Sequence, residues 1–91
     1  MKRRSRIAII MDILSYIESE GGEALATRIA QATGLAYDRL IELLEELNEK
    51  GILEIIVDEK YRRVIITRKG RALLSKLRDI EGFLRDLGIE L

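Results

Sequence analysis

Apolar residues recur along the first third of the chain with the period of an α-helix. Ile7, Ile10, Met11, Leu14 and Ile17 share one face, the spacing of an amphipathic helix that starts near Ser5 and ends before Gly21-Gly22. Ala8, Ile9 and Ile13 widen that face, so more than one side is expected to be covered. A second helix is expected over about residues 23–32, with Leu25, Ile29 and Ala30 inward. Thr33-Gly34-Leu35 then breaks the pattern, and Gly34 takes positive φ there without cost. A third helix spans about residues 36–50, burying Leu40, Leu43, Leu44 and Leu47, with Gly51 as its stop. The pattern then changes. Ile52-Leu53-Glu54-Ile55-Ile56-Val57 and Arg62-Arg63-Val64-Ile65-Ile66-Thr67 are β-rich runs around the polar turn Asp58-Glu59-Lys60-Tyr61, which reads as a β-hairpin. Thr67 is suited to cap the N-terminus of a last helix, which runs to about Leu87 and stops at Gly88.

Helix, helix, tight glycine turn, helix, hairpin and helix make a winged helix-turn-helix: a mostly α fold with a β-hairpin wing. The 91 residues allow one domain. Residues 1–70 are expected to form its winged helix-turn-helix, and residues 71–91 its C-terminal helix, a dimerisation element of the same domain. No internal repeat or linker is visible.

Leu73, Leu77, Ile80, Leu84, Leu87 and Leu91 recur at intervals of 4, 3, 4, 3 and 4, an unbroken heptad seam. Such a seam pairs with a second copy or packs on the chain's own first helix, and both uses compete for one stripe. Leu74 and Phe83 flank it, making the apolar face wider than a single partner requires. Gly82 weakens this helix and suggests close packing or a bend.

Composition narrows the chemistry. Cys and His are absent, which removes disulfides, thiolate sites and the commonest general base and metal ligand. No nucleophile–base pair, metal-ligand cluster or phosphate-cradling glycine loop is present, so neither an enzyme nor a cofactor is expected. Apolar residues are 47% and charged residues 35%, too hydrophobic for disorder. The longest uncharged run, residues 29–37, is far short of the ~20 a membrane helix needs. Lys2-Arg3-Arg4 opens like an export signal, but Asp12 interrupts the next apolar stretch and no cleavage site follows. The expectation is a cytoplasmic, nucleoid-associated protein. Fourteen Ile and fourteen Leu with one Asn and one Gln suggest a hyperthermophilic source.

Net charge is zero, from 16 basic and 16 acidic residues, but the charges are segregated. Residues 1–6 carry four cations and no acid, and residues 60–78 carry eight cations and no acid. Between them, residues 7–59 hold twelve acids against Arg28, Arg39 and Lys50. Such asymmetry builds a local positive field in a neutral protein, or else a salt-bridged solvated surface.

The chain also resembles a small archaeal winged-helix family. The resemblance lies in Arg6-Ile7-Ala8-Ile9-Ile10-Met11-Asp12-Ile13-Leu14, in Ala26-Thr27-Arg28-Ile29 followed by Gly34-Leu35-Ala36-Tyr37, in Leu43-Leu44-Glu45-Glu46-Leu47 leading to Lys50-Gly51-Ile52-Leu53, and in Thr67-Arg68-Lys69-Gly70 with Leu73-Leu74. It covers about residues 5–87. That family includes archaeal chromatin-type DNA-binding proteins that dimerise through an antiparallel coiled coil of the last helix. The resemblance therefore implies double-stranded DNA as a partner, a role as transcriptional regulator or chromatin protein, and a homodimer.

In a helix-turn-helix the second helix of the motif enters the major groove. Here that helix carries Asp38, Glu42, Glu45, Glu46 and Glu49 opposite its leucines, and carboxylates near phosphates repel a duplex. The family's helix is commonly more basic. Three cationic features stand against this. Lys60, Arg62 and Arg63 lie at the expected wing tip. Lys2, Arg3, Arg4 and Arg6 form an arm ahead of the first helix. Arg28, Tyr37 and Arg39 are placed at the helix-turn-helix corner, where Tyr37 either bonds a phosphate or packs on Leu35. The alternative function is a protein-interaction module that uses the acidic third helix as an adaptor surface.

Overall fold

The computed structural model describes residues 5–91, with the element order α1 (Arg6–Ser19), β1 (Glu23–Leu25), α2 (Ala26–Thr33), α3 (Tyr37–Glu49), β2 (Leu53–Asp58), β3 (Tyr61–Ile66) and α4 (Arg68–Asp86). This is a winged helix. Ser5 caps α1 through its hydroxyl, which accepts from the Ala8 amide at 3.1 Å. The broad apolar surface of α1 has a use: Ile13, Leu14 and Ile17 are fully buried, with Ile10 and Met11 nearly so. The helix packs against α2, α4 and the sheet at once.

The second helix begins later than its apolar spacing suggests. Residues 23–25 form β1, which pairs antiparallel with β3 through Glu23↔Ile65, Ala24↔Val64 and Leu25↔Arg63. The hairpin is thus part of a three-stranded sheet in the order β1-β3-β2. Gly21 and Gly22, at φ +86° and +98°, turn the chain out of α1 and lay this segment on the free edge of β3. That edge satisfies its backbone amides, so helix starts at Ala26.

Strand periodicity sorts the sheet's side chains. Ala24, Leu53, Val64 and Ile66 face the helices and are buried, joining Leu40, Leu44, Leu47, Ile29 and Leu74 in one core. Leu43 lies at its margin, half-buried. At the wing tip Asp58 pairs with Tyr61, leaving Glu59 and Lys60 as a two-residue turn. Glu59 has φ +46°, a left-handed conformation costing about 1–2 kcal/mol for a residue with a Cβ. Glycine removes that cost but adds about 0.5–1 kcal/mol of unfolded-state entropy. Glu59→Gly is therefore expected to stabilise the domain by about 0.5–1 kcal/mol, read as a raised urea midpoint with an unchanged slope.

Thr67 fastens α4 to the end of α3. Its hydroxyl accepts from the Gly70 amide at 3.0 Å and donates to the Gly51 carbonyl at 2.6 Å, with the Ile52 carbonyl at 2.9 Å. From there α4 runs antiparallel along α1. Arg71 Nε bonds both Glu18 carboxylate oxygens, at 2.9 and 3.1 Å, and Arg78 reaches the Ser15 hydroxyl at 3.4 Å. The heptad seam divides along this path. Leu77 is buried in the core and Leu73 is half-buried against it. Farther on, Ile80, Phe83 and Leu87 are 48%, 66% and 60% exposed, and Leu84 is half-buried. Leu91, the last residue of the seam, is half-buried and packs back against the core, so the exposed stretch is confined to Ile80, Phe83 and Leu87. Gly82 has only the Arg85 guanidinium near its missing Cβ, at 3.9 Å, so close packing within the chain does not explain it.

Candidate nucleic-acid interface

Two elements flank the surface that a winged helix turns toward a duplex: α3 and the β2–β3 wing. They meet through side chains. Along β3, residues 62, 64 and 66 share the face turned to the helices. Val64 and Ile66 bury there, and Arg62, next outward, extends past the edge of the core. Its Nη1 donates to the Tyr37 hydroxyl at 3.3 Å, joining the wing to the first residue of α3 across 25 positions of sequence. Arg63 points the other way. It pairs across strands with Glu23 at 3.0 Å, so its charge is matched on the outer face of the sheet. The expected wing-tip cluster is therefore split: Arg62 faces α3, Arg63 is paired to β1, and Lys60 is exposed in the turn.

The corner cluster divides as well. Tyr37 is 38% exposed and turned to the wing. Arg28 instead lies near Tyr16, on the α1 side of α2. Desolvation raises the Tyr16 pKa above 10.0, the nearby Glu20 carboxylate adds to the rise, and Arg28 opposes it. Arg39 lies on the opposite flank of α3 from Tyr37 and lines a groove of about 620 Å³ between α1 and α3, together with Ile9, Leu35 and Leu43. Arg6 borders the same groove and pairs with Glu46. Of the proposed arm, Lys2, Arg3 and Arg4 lie outside the described residues.

The acidic character of α3 survives folding. Asp38, Glu42, Glu45 and Glu49 are all exposed, on the side away from buried Leu40, Leu44 and Leu47. Glu46 is held by Arg6. At the N-terminus of α3, Ala36 supplies no side-chain cap, leaving first-turn amides and the positive end of the helix dipole beside Tyr37 and Arg62. Asp38 places a carboxylate in that first turn as well, so the phosphate-compatible groups at this end are Arg62 and Tyr37 beside a carboxylate-lined helix. Sequence reasoning placed Arg62 and Tyr37 apart. Strand alternation was the signal that separates Arg62 from Arg63 and sends the former toward α3.

No group of acidic side chains that could hold a metal ion occurs among the described residues, and no helix there is long and apolar enough to cross a membrane.

Comparison with known proteins adds an independent line. A search of curated proteins finds no match. Among solved structures, the chain is similar to Sso10a-2, a DNA-binding protein from Sulfolobus solfataricus, at 25% identity and a TM-score of 0.82, over 92% of this chain and 85% of that one. AF1382 from Archaeoglobus fulgidus shares the fold at 12% identity and a TM-score of 0.75, over 88% and 90% of the two chains. A MarR mutant from E. coli, complexed with operator DNA, shares it at 19% identity and a TM-score of 0.72, over 82% of this chain and 55% of that one. Residues 3–84 match the winged helix-turn-helix family, and the protein belongs to that family.

Proposed function

We propose that the protein binds double-stranded DNA as a homodimer, serving as a transcriptional regulator or chromatin protein without catalytic activity. The observation that carries this reading is the joined wing and helix: Arg62, without a carboxylate partner in any ion pair among the described residues, beside Tyr37 and the uncapped start of α3. The family, the similar DNA-binding protein from Sulfolobus and the MarR protein complexed with operator DNA support it. Lys60, exposed at the wing tip, extends the cationic contacts, and Lys2, Arg3, Arg4, Arg6, Arg28 and Arg39 stand as outlying candidates. The homodimer reading rests on the exposed Ile80, Phe83 and Leu87 of α4.

A fluorescence-anisotropy titration with a random duplex of ~30 bp at several salt concentrations tests this. Binding is expected to weaken steeply with salt, each neutralised phosphate adding ~0.9 to the log–log slope. Arg62→Ala is expected to lower that slope by about 1 and weaken binding similarly across sequences.

The exposed carboxylates of α3 favour a second reading, an adaptor whose acidic helix receives a basic protein surface. Absence of duplex binding even at low salt would transfer the function to that face.

A further inference from the structure

Arg62 and Tyr37 bond to each other across the gap between wing and helix, and from this geometry we infer that Tyr37 is a positioning residue that acts through Arg62, clasping the wing to α3 so that the two elements present one preformed phosphate-binding edge. This inference rests on the DNA-binding reading above and gives that site its internal division of labour.

Three features carry it. First, the bond from Arg62 Nη1 to the Tyr37 hydroxyl, 3.3 Å, joins residues 25 apart in sequence and spans the gap between wing and helix. Second, the wing beyond the core has little else to hold it. Val57 and Tyr61, at 67% and 59% exposed, flank a two-residue turn with a left-handed Glu59. Third, the neighbouring arginine is already matched: Arg63 is held by Glu23, whereas Arg62 is bonded to a neutral phenol. A phenol acceptor orients a guanidinium without cancelling its charge. A carboxylate in its place would fix the side chain and also neutralise it. The remaining donors of the Arg62 fork stay available for a phosphate. An arginine already fixed by its neighbour loses less rotamer freedom on binding, and preorganisation of that kind raises affinity without adding a contact. The acidic outer face of α3 makes such an edge more important, because repulsion there penalises any loosely placed cation.

The test is a double-mutant cycle on the full chain with Tyr37→Phe, Arg62→Ala and both together, read by duplex affinity and salt slope. Tyr37→Phe keeps the ring and its packing and removes only the hydroxyl. The inference expects Arg62→Ala to weaken binding about tenfold and lower the salt slope by about 1. Tyr37→Phe should weaken binding several-fold and leave the slope intact, because the charge remains. The double variant should bind no more weakly than Arg62→Ala alone. Losses that add in full mean that Tyr37 meets DNA by itself, and overturn the inference. A second readout needs no DNA. In ¹⁵N relaxation of the free protein, Tyr37→Phe should lower the order parameters of residues 57–62 and leave those of β1 unchanged. Unchanged wing order parameters overturn the clasp. If Arg62→Ala binds DNA like the unaltered protein, the clasp fails while the proposed function stands. If the unaltered protein binds no duplex at any salt, the proposed function fails and the clasp loses its role with it.

Discussion

Replacing Gly70 with alanine is expected to lower the melting temperature by roughly 5–15 °C, although alanine is the better helix former. Gly70 lies in the first turn of α4, where the helix comes against the chain leaving α3. A Cβ added there would sit 2.1 Å from the Ile52 carbonyl oxygen and 2.9 Å from Ile66 Cγ1. The carbonyl cannot move aside alone, since it accepts from the Thr67 amide at 3.2 Å and lies 2.9 Å from the Thr67 hydroxyl. The substitution must push α4 away from β2, disturbing the cap that starts the helix. Overpacking of this kind costs about 2–3 kcal/mol, against at most about 1 kcal/mol gained in helix propensity. In a domain of this size each kcal/mol moves the midpoint by about 4–8 °C. The control is Gly82→Ala in the same helix. Its nearest neighbour is the flexible Arg85 guanidinium at 3.9 Å, so propensity acts alone and the midpoint should rise. Thermal melts followed by circular dichroism compare the two. Equal and positive shifts would show that the contact at Gly70 does not constrain the fold.

Gly70 also marks where sequence reasoning stopped. Its position in a helix was legible from the Thr67 cap and the leucines beyond it. Its contact with Ile52 was not, because it joins elements 18 residues apart through a backbone carbonyl with no side-chain signature. The same division runs through the molecule. The helices were legible because each carries a periodic apolar face whose burial dominates its energy. The three residues of β1 are too few to show a period, and their state is set by a partner strand about 40 positions away. At the interface, the cations of the wing were visible as a run, but a run does not say which face each side chain takes. Alternation along β3 splits the pair, sending Arg62 to Tyr37 and Arg63 to Glu23. Asp38, Glu42, Glu45 and Glu49 form the outward stripe their spacing implies, because the leucines fix the opposite face, whereas Glu46 turns to the flank and pairs with Arg6.

The seam of α4 shows the remaining gap, and its resolution is the second large effect. A heptad pattern states that a stripe is apolar, not what covers it. The structure supplies a length argument. Arg71 of α4 lies beside Glu18, and beyond that point α4 continues to Asp86 while α1 runs back only to Arg6, so α4 outruns its partner by about three residues, or ~4.5 Å. Leu73 and Leu77 pack on the body of the domain. Ile80, Phe83 and Leu87 extend along α4 with 48%, 66% and 60% of their surface open to water. An aromatic side chain alone offers about 150–250 Å² for burial, and in the proposed homodimer an antiparallel copy would bring the same stripe to meet it. Replacing Ile80 and Phe83 by glutamate is therefore expected to convert the protein from a dimer to a monomer. In sedimentation equilibrium the mass should fall from about twice 10.4 kDa to 10.4 kDa. Both side chains are solvent-facing within one chain, so the isolated fold should persist, with an unchanged far-ultraviolet spectrum. The consequence for DNA is larger than any single contact provides. Two linked modules bind the second half of a site at an effective concentration near the millimolar range, which multiplies affinity by about 10²–10⁴. The monomeric variant should lose duplex affinity on that scale and about half of its salt slope, while Arg62→Ala lowers the slope without changing the mass. An unaltered protein that sediments at 10.4 kDa would remove the dimer. A monomeric variant that still binds DNA at full strength would show that one winged helix acts alone.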